Sequence, residues 1–221
     1  MTWCRLAITA AAVVALAQGR VADVTLTGRV ETRTRPGTPA ATAVVYAEPM
    51  SGSVSARPLT VTIRQQNKAF MPRVVGAPAG SSIVFPNGDS IFHNVFSLSS
   101  PQPFDLGLYR AGASKTLTFR EPAAYYIFCN IHPQMAAFLV VAPTPWITTT
   151  APDGSFRLDL PPGRYRLSAL SERAALSSID VQAGVAAAPI GLTLDESTAS
   201  TTPHLNKYGK PYPPAAYKDK N

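Results

Sequence analysis

An all-β chain built as two small sandwiches is what this sequence predicts, on three observations. No segment sustains the i, i+3, i+4, i+7 apolar pattern of a helix over several turns. β-branched and aromatic residues cluster instead in short runs, many of them alternating. Frequent Pro and Gly cut those runs apart. About 200 mature residues suffice for two small domains with cores of their own.

Residues 1–19 read as a secretory signal peptide. A short start ending at Arg5 precedes the apolar run "LAITAAAVVALA", and Ala15-Leu16-Ala17 offers small residues for cleavage near Gln18 or Arg20. The run is too short for a comfortable membrane span, so no transmembrane segment is expected once it is removed. Cys4 precedes the run rather than ending it, which argues against a lipid anchor, and export to the periplasm or the medium follows. Removal of the leader leaves Cys129 as the single thiol. In an oxidising compartment it is buried and inert, paired to another chain, or held by a metal.

Charge narrows the partners. The formal +7 becomes +6 without Arg5, and the tail from Pro203 contributes a net +3 through Lys207, Lys210, Lys218 and Lys220 against Asp219. No long basic patch interleaved with aromatics lies elsewhere, so nucleic-acid binding is not expected.

Residues 23–49, "TLTGRV" through "AVVYAEP", read as two strands around a Pro-Gly turn, and a lone hairpin is marginal in water. Residues 58–143 hold eight runs: "LTVTIRQQ", "RVVGAP", "SSIVFPN", "HNVFSLS", "FDLGLYR", "KTLTFR", "YYIFC" and "FLVVAP". Turn signals such as "PAGSS", "NGDS" and "RAGAS" separate them, which is the pattern of a Greek-key sandwich or small barrel.

The chemistry sits in "YYIFCNIHPQM". Alternation puts Tyr125, Ile127 and Cys129 on one face of the seventh strand, with His132 and Met135 in the loop after it. His93, opening the fourth strand, is the other histidine of the domain, and a sandwich can bring the two ends together at one pole. Cys and Met are also common core fillers. The four together form a distinctive donor set. Zinc hardly ever takes Met, calcium and magnesium require oxygens, and two imidazoles with a thiolate in a plane and a weak axial thioether suit copper.

Residues Val61 to Val141 resemble the cupredoxins, small blue copper proteins such as plastocyanins, pseudoazurins and amicyanins. The carriers of the likeness are "FHNVFS" around His93, "AGASKTLTF", and Tyr125 followed by Cys129, His132 and Met135, whose spacing resembles the amicyanin loop. The resemblance implies one type 1 copper per chain held by His93, Cys129, His132 and Met135. It further implies that the Asn94 side chain ties the two ligand loops, and that electrons pass through a His132 edge set in an apolar patch of Ile131, Pro133, Ala136 and Phe138. This chain departs from the pattern at Pro122-Ala123-Ala124, where the family usually has Pro-Gly, and at Ile131, where amicyanin-like loops tend to carry Pro. The retained Ile131 N–H, if aimed at the thiolate, would raise the reduction potential.

Residues 146–196 bring about five further strands, with an Asp-Gly hairpin turn and a Pro-Pro-Gly turn. The stretch "TTTAPDGSFRLDLPPGRYRL" resembles carboxypeptidase regulatory-like or transthyretin-like modules. Together with residues 23–49 it would make one discontinuous Ig-like or transthyretin-like sandwich, with the cupredoxin inserted in it. The competing arrangement is a short N-terminal extension packed on the copper domain. Residues 197–221, rich in Pro, Lys and Tyr, read as a disordered basic tail, with His204 on solvated surface.

No paired carboxylates, activated nucleophile or phosphate loop is evident in the regulatory-like part, and an enzyme is not expected. The expected role is electron transport between protein redox partners, with a dehydrogenase or a cytochrome as candidates. The alternative is copper storage, delivery or scaffolding.

Overall fold

The computed structural model describes residues 22–184, 188–200 and 202–212; the expected signal peptide and the last part of the tail lie outside the described residues. The chain is all-β. Its strands are β1 Val24–Arg33, β2 Val44–Pro49, β3 Thr60–Thr62, β4 Arg64–Gln66, β5 Ala69–Met71, β6 Val74–Pro78, β7 Ser81–Pro86, β8 His93–Ser97 and β9 Phe104–Tyr109. They continue as β10 Ser114–Phe119, β11 Ala123–Phe128, β12 Ala136–Ala142, β13 Ile147–Thr149, β14 Ser155–Leu160, β15 Gly163–Ser171, β16 Ala174–Ala183 and β17 Ile190–Asp195. Among the described residues no helix is long and apolar enough to cross a membrane.

The middle of the chain forms two facing sheets, β10-β7-β3 and β6-β12-β11-β8-β9, with the hairpin β4-β5 beside them. Ile83, Phe85, Phe119, Tyr125, Ile127 and Leu139 fill the space between. The run "LTVTIRQQ" is two short strands rather than one, broken at Ile63, and β5 is an additional strand. Asn67 and Lys68 both adopt positive φ in the β4-β5 turn, and neither is the glycine that usually marks such a turn in sequence.

The outer strands make a second pair of sheets, β14-β1-β17 and β13-β2-β15-β16. Strand β1 pairs antiparallel with β14 (Leu26↔Leu158) and parallel with β17 (Val30↔Leu192). Strand β2 pairs with β15 (Val44↔Leu170, Tyr46↔Ser168). The first two strands of the chain therefore lie in different sheets, each completed by strands from the far end of the sequence. Close fit is visible at Gly28, where a Cβ would stand 2.3 Å from the Ile190 carbonyl oxygen and 2.5 Å from the Phe156 ring. Leu26, Val45, Leu160, Leu167 and Leu194 form the core of this sandwich. Each sandwich carries a tyrosine whose hydroxyl donates to a carbonyl four residues upstream, Tyr125 to Glu121 at 3.0 Å and Tyr165 to Pro161 at 2.8 Å.

Strand β12 joins the two bodies. Ala137, Leu139 and Val141 face the first core, while Phe138 and Val140 pack with Val44 in a separate cluster flanked by Tyr46, Ile147 and Leu170. That is why "FLVVAP" is apolar on both faces. It also corrects the assignment of Phe138 to a docking patch: Phe138 is 1% exposed, sealed under the outer sandwich.

Because β1 is the central strand of its sheet and Leu26 is fully buried, Leu26→Ala should destabilise the outer sandwich by about 2–5 kcal/mol. Chemical denaturation followed through Trp146, which packs on that core, measures it. A loss near that of a surface substitution would make β1 an appended strand.

Candidate metal centre

Antiparallel pairing of β11 with β8 puts Phe128, the last residue of β11, opposite Phe96, so the chain beyond Phe128 runs back along β8 toward His93. Cys129, just past β11, and His93, the first residue of β8, thereby meet at one pole. The loop between β11 and β12 is closed by two backbone bonds, Cys129 N to Met135 O at 3.2 Å and Met135 N to His132 O at 2.9 Å, so His132 turns back toward Cys129. His93, Cys129 and Met135 are fully buried, and His132 is 8% exposed.

The donor atoms converge. His93 Nδ1 and His132 Nδ1 are 3.1 Å apart, Cys129 Sγ is 3.7 Å from His132 Nδ1, and one donor atom from each of the three residues lies within 4.8 Å of the others. A single ion at about 2.0 Å from imidazole nitrogen and about 2.3 Å from thiolate sulfur, the bond lengths of zinc sites, can span these separations. The residues present therefore fit a metal. Met135 shares the buried cluster of Cys129.

Surrounding groups hold these donors in place. His93 Nε2–H donates to Asp89 Oδ2 at 2.7 Å, which leaves Nδ1 with its lone pair toward the cluster. Burial raises the Asp89 carboxyl, but hydrogen bonds from the Lys68 N–H, the His93 ring and the Asn67 N–H outweigh it and hold the group below the usual carboxylate range. Those two N–H groups come from the positive-φ turn, so the β4-β5 hairpin fixes the carboxylate that fixes the histidine. Sequence reading missed Asp89; its signal was an acid four residues before His93 inside "NGDS", where it reads only as a turn residue.

Burial raises the Cys129 thiol, while the backbone N–H groups of Asn94, Ile131 and His132 act in the opposite direction. Asn94 bridges the two ligand segments: its Oδ1 accepts from Asn130 N at 3.3 Å and its Nδ2 donates to Asp105 Oδ1 at 2.7 Å.

Two expectations are corrected at the rim. His132 is almost wholly enclosed, with Ile131, Pro133 and Ala136 only half-buried around it. The tail is not a free end over its described part, because residues 202–212 fold back onto the loop. His204, expected on solvated surface, stacks on Phe128 with ring centroids 3.8 Å apart and donates from Nε2 to Pro133 O at 2.6 Å. Lone residues in a Pro- and Lys-rich segment carry no pattern that announces such contacts.

No described protein family and no curated protein matches the chain. Among solved structures it is similar to the Cu-containing nitrite reductase of Thermus scotoductus SA-01, at 25% identity and TM-score 0.37 over 50% of this chain and 28% of that one. It is similar also to a mutant of amicyanin in its Cu(I) form, at 18% identity and TM-score 0.36 over 44% of this chain and 99% of that one. A purple cupredoxin from Nitrosopumilus maritimus gives 22% identity and TM-score 0.33, over 38% of this chain and 98% of that one. The chain thus spans under a third of the nitrite reductase's length.

Asp89→Ala should weaken metal binding roughly 10–100-fold, the usual cost of losing a group that orients a ligand histidine. Competition titration with Co(II) or Cu(II) reads it, and an unchanged affinity would leave Asp89 as a turn residue alone.

Proposed function

We propose that this chain is an exported type 1 copper protein that carries single electrons between protein redox partners, and that His93, Cys129, His132 and Met135 would hold one copper per chain. The observation that carries the reading is the convergence of two imidazoles and one thiol, all buried, within 4.8 Å. Soft sulfur with imidazole is the donor set that serves both Cu(I) and Cu(II), and bound copper supplies reversible one-electron chemistry.

The remaining work belongs to the protein. Asp89 holds His93 in the tautomer that presents Nδ1. The backbone N–H groups of Asn94, Ile131 and His132 favour the Cys129 thiolate, which would raise the potential of a bound copper. Enclosure by the sandwich core keeps water from the donors and limits movement of the ligands between oxidation states.

The outer strands support a domain reading of the same kind. We take residues 58–143 as the copper domain, inserted into a discontinuous regulatory-like sandwich of residues 23–49 and 146–196. Copper storage or delivery is the second reading, favoured by the near-complete enclosure of His132, which leaves little ligand edge for a redox partner to touch.

Optical and EPR spectra of the copper-loaded mature protein test the proposal. An intense visible band from thiolate-to-copper charge transfer is expected, abolished in Cys129→Ser and disturbed in His93→Ala, with reversible one-electron cycling. A Cys129→Ser protein that keeps the band would overturn the ligand assignment; a colourless Cu(I) site that releases copper to an acceptor would replace electron transfer with delivery.

A further inference from the structure

Three residues of the ligand loop each take a hydrogen bond from the C-terminal segment. Tyr212 OH donates to Cys129 O at 2.9 Å, Lys207 N to Asn130 Oδ1 at 3.0 Å, and His204 Nε2 to Pro133 O at 2.6 Å. The His204 ring lies nearly parallel to Phe128, at 11°, on the residue just before Cys129, and meets Tyr212 edge-on at 5.2 Å.

The same segment closes a ring of polar contacts around both ligand strands. Lys207 Nζ donates to Asp105 Oδ2 at 2.7 Å, Asp105 Oδ1 accepts from Asn94 Nδ2, Asn94 Oδ1 accepts from Asn130 N, and Asn130 Oδ1 returns to Lys207 N. Burial raises the Asp105 carboxyl, but bonds from Lys207, Asn94 and Gly107 hold it low, so it stays the anion this ring requires. Nor is the segment loosely laid on the surface. Asn206 organises it, accepting from Tyr208 N and Lys210 N on its side chain, donating to Lys210 O and accepting from Gly209 N on its backbone.

We infer that residues 202–212 are a positioning clamp for the metal-ligand loop, holding Cys129 to Met135 in a ligand-ready conformation and shielding the loop from solvent. The inference rests on the reading of His93, Cys129 and His132 as metal ligands, but its physical content, an ordered loop around Cys129, exists without the metal. The loop's own closure consists of two backbone bonds, and a segment held by so few bonds opens more readily than the core unless further groups fix it. His204, Lys207 and Tyr212 add bonds at Cys129, Asn130 and Pro133, spread along the loop from its first residue. Their role is positioning, because none of them supplies a donor atom to the cluster.

The test uses the full chain with His204→Ala, Tyr212→Phe and the double substitution, and Lys210→Ala, which alters an exposed side chain, as control. In the metal-free protein, alkylation of Cys129 by iodoacetamide, read at that residue by mass spectrometry, should be at least about tenfold faster in the double variant, because sub-global opening of the loop governs access. In the copper-loaded protein, removal of the metal by a chelator should be roughly 10–100-fold faster. Tyr212→Phe deletes one hydroxyl and keeps the ring, so it tests the clamp without risk to the fold, and it should fall between wild type and the double variant. Wild-type rates in both assays would overturn the clamp and leave the segment merely lying against the domain. If the unaltered chain binds no stoichiometric metal while alkylation still accelerates in the variants, the metal reading fails and the clamp stands.

Discussion

Burying two imidazoles and a thiol at one pole of a β-sandwich sets the constraint that the surrounding structure satisfies. Polar groups removed from water cost free energy unless they find partners, roughly 1–3 kcal/mol each by mutational measures. His93 is enclosed completely and therefore has a carboxylate on its Nε2. That carboxylate in turn draws on two backbone N–H groups, available only because Asn67 and Lys68 adopt a left-handed turn. Burial raises the Cys129 thiol, and the backbone N–H groups of Asn94, Ile131 and His132 act against that rise. The β4-β5 hairpin and its positive-φ pair are thus tied, through Asp89, to a buried histidine.

The second sandwich acts on the same region from behind. Strand β12 begins where the ligand loop ends, and its outward residues Phe138 and Val140 are covered by β2 and its neighbours. The strand that anchors the loop is therefore packed on both faces. Arg73 pairs with Glu172 at 2.7 Å, and Tyr126 OH donates to Glu172 O, so polar contacts border the apolar seam. One consequence is geometric: Phe138 is covered by the outer sandwich, and residues 202–212 lie against Cys129, Asn130 and Pro133 of the loop.

The candidate centre is enclosed by segments from widely separated parts of the chain: the hairpin near residue 67, the ligand strands, and the segment near residue 207. Closure by distant segments makes the loop's geometry a property of the whole domain rather than of the seven residues from Cys129 to Met135. Asn94 and Asp105 exemplify this. Each has two or more partners, and together they connect β8, β9, the ligand loop and the C-terminal segment.

The sequence by itself determined the all-β class and the approximate places of most strands of the middle domain, because alternation, β-branched runs and turn residues are local signals. It also singled out His93, Cys129, His132 and Met135, because ligand chemistry depends on residue type and three of the four lie within one loop. Tertiary structure decided what no local pattern encodes. The pairing of β1 with β14 and β17 joins residues over a hundred positions apart and depends on which faces remain to be covered. Asp89 looks like any turn aspartate until His93 is placed against it. Phe138 looks like a surface apolar residue until the other sandwich closes over it, and His204 like a solvated tail residue until Phe128 lies beneath its ring. In each case the residue type was compatible with several surroundings, and burial of a distant partner chose among them.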